Sequence, residues 1–282
     1  MSGVIAAGIV AHVPTLARPE ITPDFQRTLV DGERALGAKL RALSPDLWVV
    51  ISTHWVSTFN WFATCQAQHQ GICVADEAPD LIPGMPYSYP GHAGFGRALV
   101  EAWQAAGLPA ARNESPHYAW DYGTCVPLSH LDPQAQVAVV GVPVVLMADL
   151  DECARAGAAI HATAKALGLR AVVLASSALS HALVRGRQHE PLPERREADA
   201  RTIERLQAGD VAGVQRDLPR YARDAVVEMG GRAIATLLGA ARALAADGKA
   251  LRGRQFGGYA QSSGSGNANL VLAPEPAFSA LD

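Results

Sequence analysis

Between residues 47 and 55 the chain reads LWVVISTHW. Leu47, Trp48, Val49, Val50 and Ile51 are apolar at odd and even positions alike. A strand with one solvated face would alternate, so this run predicts a strand covered on both faces, as in the sheet of an α/β fold. The chain then turns polar through Ser52 and Thr53 to His54. A buried strand that ends in a histidine sets an imidazole at the carboxyl edge of the sheet, where open α/β folds place their ligand crevice. By itself His54 fits an inert, hydrogen-bonded loop residue equally well, because position in a fold does not establish function.

The pattern recurs. Residues 4–11, VIAAGIVA, predict a first buried strand that runs into His12, and Pro14 keeps the chain extended just beyond that imidazole. Thr22-Pro23 has the form of an N-cap followed by proline at the first helical position. Phe25, Leu29, Leu36, Leu40 and Leu43 then keep helical spacing as far as Ser44-Pro45. Strand, helix and strand in this order predict a crossover, with parallel strands and both His12 and His54 at one sheet edge. Residues 170–175 form a third apolar run, which leads through Ser176, Ser177, Ala178, Leu179 and Ser180 to His181.

Elsewhere, strands are expected at 58–67, 136–146 and 268–273, and helices at 93–106 and 149–167. Residues 77–91, EAPDLIPGMPYSYPG, predict a long proline-rich loop, a lid over a site or a surface connection packed by Tyr87 and Tyr89. Residues 182–200 read as a charged loop entering a solvated helix that continues to Leu206, and 210–222 as short helical or turn pieces. A helix lies within 226–246, after Glu228-Met229-Gly230-Gly231, and 253–267 is a glycine- and serine-rich tail. No repeat and no linker interrupts the chain. The expectation is one α/β domain, residues 1–282, with a largely parallel or mixed central sheet flanked by helices.

Composition limits the function. The chain has 282 residues, a formal net charge of −3 and no Lys/Arg cluster, so it lacks the basic footprint of a nucleic-acid binder. No apolar run approaches the ~20 residues of a membrane span, and the apolar N-terminus lacks the charged flank of a signal peptide. Cys65, Cys73, Cys125 and Cys153 form no CxxC pair, which predicts reduced thiols and a cytoplasmic protein.

Three histidines at strand ends suggest a site, although each alone is more often structural. Two neutral imidazoles and one carboxylate make the facial triad that leaves positions on Fe(II) open for substrate and dioxygen. Spacing does not select the carboxylate among 27 Asp and Glu residues. Glu228 stands out only because it follows Ala225, Val226 and Val227, and a carboxylate buried there needs a cation or donors.

AHVPTL at 11–16, STHW at 52–55, DYGTCVPL at 121–128, LASSALSH at 174–181 and SSGSGN at 262–267 occur in this order across nearly the whole chain. Together they resemble the class III, LigB-type extradiol ring-cleavage dioxygenases, nearest the homoprotocatechuate 2,3-dioxygenase and 2-aminophenol 1,6-dioxygenase branches. The resemblance implies a LigB-like catalytic domain that opens a catecholic ring with O2 and places both oxygen atoms in the product. It implies His12, His54 and Glu228 as ligands of non-haem Fe(II), with Mn(II) the alternative metal, and His181 as the acid–base histidine. It implies Tyr122 as a second catalytic residue, at a place where other branches carry histidine, which fits the two branches named; a structural hydrogen bond under a loop is the alternative reading of its phenol.

The implied partners are a small aromatic substrate and O2, with a homo-oligomer expected and a heteromer with a related subunit as the alternative. An acidic ring substituent, as in 3,4-dihydroxyphenylacetate, needs a cation, and Arg185 and Arg187 follow His181 closely enough to supply one at the pocket rim. The rival readings are 2-aminophenol cleavage, a non-catalytic subunit of a heteromeric dioxygenase, and a metal-binding interaction protein. SSGSGN lacks the Gly-Lys-Ser/Thr ending of a phosphate loop, and Ser180-His181 lacks a nucleophile elbow around it.

Overall fold

The computed structural model describes residues 2–281. In chain order the strands and helices are β1 (Gly3–Val10), α1 (Asp24–Ala42), β2 (Leu47–Ser57), β3 (Trp61–Thr64), β4 (Gln68–Cys73), β5 (Met85–Pro90), α2 (Ala93–Ala105) and β6 (Ala110–Asn113). They continue with α3 (Tyr122–Leu131), β7 (Ala138–Val145), α4 (Leu150–Ala166), β8 (Arg170–Ser176), α5 (Pro193–Gln207) and α6 (Val211–Asp224). A turn of 3-10 helix at Glu228–Gly231 leads into α7 (Arg232–Ala246), and β9 (Leu251–Ser262), β10 (Ser265–Pro274) and α8 (Ala277–Ala280) close the described chain.

The central sheet has six strands in the order β7-β2-β8-β1-β10-β9. β7, β2, β8 and β1 run parallel, whereas β10 is antiparallel to β1 and β9 antiparallel to β10. The expected mixed α/β sheet is therefore present, with β8 between the two histidine-bearing strands. The double-sided apolar run has its expected cause. Leu47, Val49 and Ile51 face a core built on α2, α4 and α7, while Trp48 and Val50 face a second core against α1 and α3.

Several boundaries differ from the sequence reading. β2 does not end at His54 but runs to Ser57. Ser52 pairs with Pro143 and Val56 with Val144, which leaves Thr53, His54 and Trp55 outside the ladder. Pro143 has no N–H to donate, a natural place for pairing to lapse. The bulge turns what would be three ordinary strand positions into a projection at the sheet edge.

Of residues 58–67, only Trp61–Thr64 is strand, and it pairs with β6 outside the main sheet. The proline-rich stretch is not all loop: β5 lies antiparallel to β4, with Tyr87 and Tyr89 turned inward onto Trp120 at ring distances of 4.7 and 5.2 Å. Their alternation was masked by Pro86 and Pro90. Residues 211–222 lie in one continuous helix, α6, capped by Asp210, despite Pro219. The glycine- and serine-rich tail is mostly strand. Gly257 has a positive φ of +73°, and a Cβ there would meet the Thr28 carbonyl of α1, so its lack of a side chain lets helix and strand close.

One buried group has no counterpart. Glu33 of α1 is fully buried, and neither carboxyl oxygen has a hydrogen-bond partner among the described residues. Burial raises its pKa well above the ordinary 4.5, so the folded protein holds it protonated after the unfolded chain has ionised. Its cost therefore grows as pH rises above that ordinary value and fades below it. Glu33→Met should stabilise the fold at pH 7 by roughly 1–3 kcal/mol, read by urea or thermal unfolding, and the gain should shrink near pH ~4. A gain that is the same at both pH values would mean that Glu33 does not titrate with folding.

Candidate metal centre

Three separate segments meet at the carboxyl edge of the sheet. His12 lies two residues beyond β1 and His54 in the β2 bulge, and Glu228 opens the 3-10 turn before α7. Asn269 of β10 steadies the first segment, because its Oδ1 accepts from Ala11 N at 2.9 Å while its Nδ2 donates to Leu29 O at 2.9 Å. The third segment is shaped by left-handed backbone, with φ of 48° at Met229, 63° at Gly230 and 78° at Gly231. Gly230 and Gly231 accept that conformation without steric cost.

His12 Nε2 lies 3.2 Å from His54 Nε2 and 3.3 Å from Glu228 Oε1, and His54 Nε2 lies 3.7 Å from the same oxygen. Among the described residues these three form a group that could hold a metal ion, with one donor atom from each. Two donors ~2.1 Å from a common ion and at right angles to one another are roughly 3 Å apart. The observed edges are of that size.

The surrounding hydrogen bonds set which atoms point inward. Ser176 Oγ donates to Gly123 O, so its contact with His12 Nδ1 at 3.1 Å must be one in which the imidazole N–H donates. His12 Nε2 is then a bare lone pair. His54 Nδ1 faces Glu77 Oε1 at 3.6 Å, an acceptor that favours the same tautomer. Glu228 accepts from Ala178 N on Oε2 at 2.6 Å and from Thr53 Oγ1 on Oε1 at 3.1 Å. Two lone pairs and a carboxylate oxygen thus converge, a donor set that a cation satisfies and that repels itself without one.

Charge follows the same arrangement. Burial lowers His54 to about 3, with a smaller push from His12 whenever that ring is protonated, so the His54 ring is neutral. Burial would raise the Glu228 carboxyl, but the charge and hydrogen bond of His12, when that ring is protonated, outweigh it and lower it to about 2. A neutral imidazole and an ionised carboxylate are the forms that bind metal.

His181 comes to the same point, with Nε2 3.8 Å from Glu228 Oε1, and keeps 30% of its side chain exposed. Burial lowers its pKa despite the opposing Glu228 charge. Tyr122 stacks on His54 at a ring distance of 3.9 Å. Burial and the Glu77 and Glu228 carboxylates push its phenol well up, so it stays protonated. Asp121 caps α3 by accepting from Thr124 N, and it also takes the Ser52 hydroxyl, which ties Tyr122 to the β2 bulge. All five residues singled out in the sequence are therefore neighbours. Arg185 and Arg187 are exposed and make no ion pair among the described residues.

Sequence reasoning missed Thr53, Ser176, Glu77 and Asn269. A signal existed for the first two, each a hydroxyl placed where an apolar strand run stops. Glu77 and Asn269 are distant in sequence from the groups they orient, and no periodicity marks them.

Residues 6–263 match the family described as the catalytic LigB subunit of aromatic ring-opening dioxygenase. A 3,4-dihydroxyphenylacetate 2,3-dioxygenase of Escherichia coli is 23% identical over 232 residues, covering 79% of this chain and 84% of that one. The beta subunit of a 2-aminophenol 1,6-dioxygenase of Pseudomonas sp is 28% identical over 256 residues, covering 81% and 82% respectively. The solved structure of an uncharacterized protein of Escherichia coli K12 superposes with a TM-score of 0.63, covering 95% of this chain and 99% of its own at 16% identity. That last likeness concerns the fold alone.

Replacing His12, His54 or Glu228 with alanine should strip the protein of bound divalent metal while the far-ultraviolet spectrum is preserved. Ser176→Ala keeps every donor atom but frees the His12 ring, so it should weaken metal binding by ~10–100-fold in a chelator competition. Full metal retention in any of the three alanine variants would remove that residue from the donor set.

Proposed function

We propose that this chain, which belongs to the family of catalytic LigB subunits of aromatic ring-opening dioxygenases and is a ring-cleavage dioxygenase, uses Fe(II) to open a catechol that carries an acidic side chain. The observation that carries this reading is the convergence of His12, His54 and Glu228 with a third imidazole, His181, beside them. Residues 1–282 act as one catalytic domain in this reading, and His12, His54 and Glu228 are the ligands. Fe(II), when bound, supplies adjacent positions for two ring heteroatoms and O2, with Mn(II) as the alternative ion.

The roles of the other residues follow from their surroundings. His181, neutral and partly open, accepts a proton from a ring hydroxyl and returns it as the ring opens. Tyr122 keeps its proton and donates a hydrogen bond toward the site. Its stack on His54 also limits where an aromatic ring can lie. Arg185 and Arg187, four and six residues beyond His181, offer a carboxylate on the ring guanidiniums that make no ion pair among the described residues.

The substrate class leans on the relative named as acting on 3,4-dihydroxyphenylacetate. The relative that is a subunit of a 2-aminophenol 1,6-dioxygenase supports a second reading, in which an amine replaces one ring hydroxyl. It also makes pairing with a related subunit the alternative to the homo-oligomer proposed. The complete donor set argues against a non-catalytic subunit. The cysteines are free and buried, which fits the proposed cytoplasmic setting. Among the described residues no helix is long and apolar enough to cross a membrane.

Oxygen uptake by iron-loaded protein tests the reading. 3,4-Dihydroxyphenylacetate should give a higher kcat/KM than catechol or 2-aminophenol, and Arg185→Ala or Arg187→Ala should raise KM for the acid while sparing catechol. His181→Ala should keep its iron and lose ~10²–10⁴-fold in turnover, and Tyr122→Phe should lose less. Highest kcat/KM for 2-aminophenol would move the substrate to the second reading, and unchanged turnover in His181→Ala would end its acid–base role.

A further inference from the structure

The segment that delivers His181 is extended and threaded between two neighbours. On one side Leu179 N donates to Gly266 O at 2.9 Å and Gly266 N to Ser180 O at 2.8 Å. On the other, Glu228 N donates to Leu179 O at 3.2 Å and His181 N to Val226 O at 2.9 Å. Successive side chains of an extended backbone point to opposite faces. His181 therefore turns toward Glu228 while Ser180 turns away, into the protein.

There Ser180 meets Asp199 of α5, and both are fully buried. Asp199 Oδ1 accepts from Ser180 N at 3.1 Å and from Tyr221 Oη at 2.6 Å. Oδ2 accepts from Ser180 Oγ at 2.6 Å and from Tyr259 Oη at 2.7 Å. Two N–H or O–H donors on each oxygen are what an acceptor-only carboxylate can take. The donors come from α6, β9 and the His181 segment, so this one group locks three elements together.

A glycine of the SSGSGN motif makes the arrangement possible. A Cβ at Gly266 would run into both Tyr259 Oη and Asp199 Oδ2. The motif that looked like a weak phosphate loop thus leaves room for a carboxylate and a phenol behind the histidine. Neither Asp199 nor its tyrosines reach the metal donors, which have their own hydrogen bonds from Ala178 N and Thr53.

We propose that Asp199 is a positioning residue for ring cleavage: clamped by Tyr221 and Tyr259 in the space left by Gly266, it holds Ser180 and thereby sets the aim of His181. The inference rests on the acid–base role given to His181 above. Asp199→Asn keeps the shape but puts an amide NH2 against hydroxyls that had been donating to oxygen, which forces the clamp to rearrange.

Misplacing a catalytic group by about 1 Å can cost on the order of 10²-fold. Asp199→Asn should lower kcat by about that factor, with KM for the catechol and the iron content close to those of the parent protein. In a His181→Ala background the same change should cost nothing further, because a residue that acts through His181 has nothing left to aim. Tyr221→Phe and Tyr259→Phe should show smaller losses with the same dependence on His181, and they decide the matter if Asp199→Asn fails to fold. An equal loss with and without His181, or a loss confined to KM or iron content, would overturn the positioning role. Full turnover in Asp199→Asn, or in the double Tyr221→Phe/Tyr259→Phe variant if the first does not fold, would overturn it too. Full turnover in His181→Ala would instead defeat the reading beneath it.

Discussion

Two imidazole nitrogens facing each other at 3.2 Å, with a carboxylate oxygen 3.3 and 3.7 Å away, are an arrangement that electrostatics opposes. Lone pairs and a negative charge brought together in a buried place repel unless a cation lies among them. The protein keeps them there by fixing each from behind. Ser176 takes the outer N–H of His12, Glu77 faces the outer nitrogen of His54, and Thr53 and Ala178 N hold the carboxylate. Each of these contacts orients a donor inward, and the central sheet supplies the stiff frame that they are built on.

The sheet does this with local irregularity laid on global regularity. β1, β8 and β2 are parallel and buried on both faces, so their carboxyl ends form one level edge. At that edge the ladder lapses opposite Pro143 and the β2 bulge swings His54 outward. Beyond β8 the chain bends at Leu179, bridges Val227 at Ser180 and Ser265 at His181, and left-handed residues fold the Glu228 turn back against it. The strain of positive φ at Met229 is thus located where a side chain has to be aimed.

Much of this was legible in the sequence, and the reason differs from element to element. The run at Leu47 announced a doubly covered strand because burial on both faces erases alternation, and the same signature gave β1 and β8. His12, His54 and His181 were visible because a polar residue after such a run has few reasons to be there. Glu228 was selected by resemblance rather than by spacing, since what makes it special is a turn formed by left-handed backbone. β5 was missed because its prolines hide an alternation of tyrosines, and β9 because glycines that admit the Thr28 and Leu206 carbonyls look like a flexible tail. Asp199 was read as part of a solvated helix, because burial by tyrosines from α6 and β9 is a tertiary fact that local charge density cannot register.

The most direct test of the account is where a metal sits. Crystals of the iron-loaded protein, measured on either side of the iron absorption edge, give an anomalous difference map that locates the ion without reference to any assignment. The account predicts one strong peak ~2.0–2.2 Å from His12 Nε2, His54 Nε2 and Glu228 Oε1, with His181 near it but not bound. A peak elsewhere in protein that turns over a catechol, or an ion ligated by His181 in place of either other histidine, would contradict it.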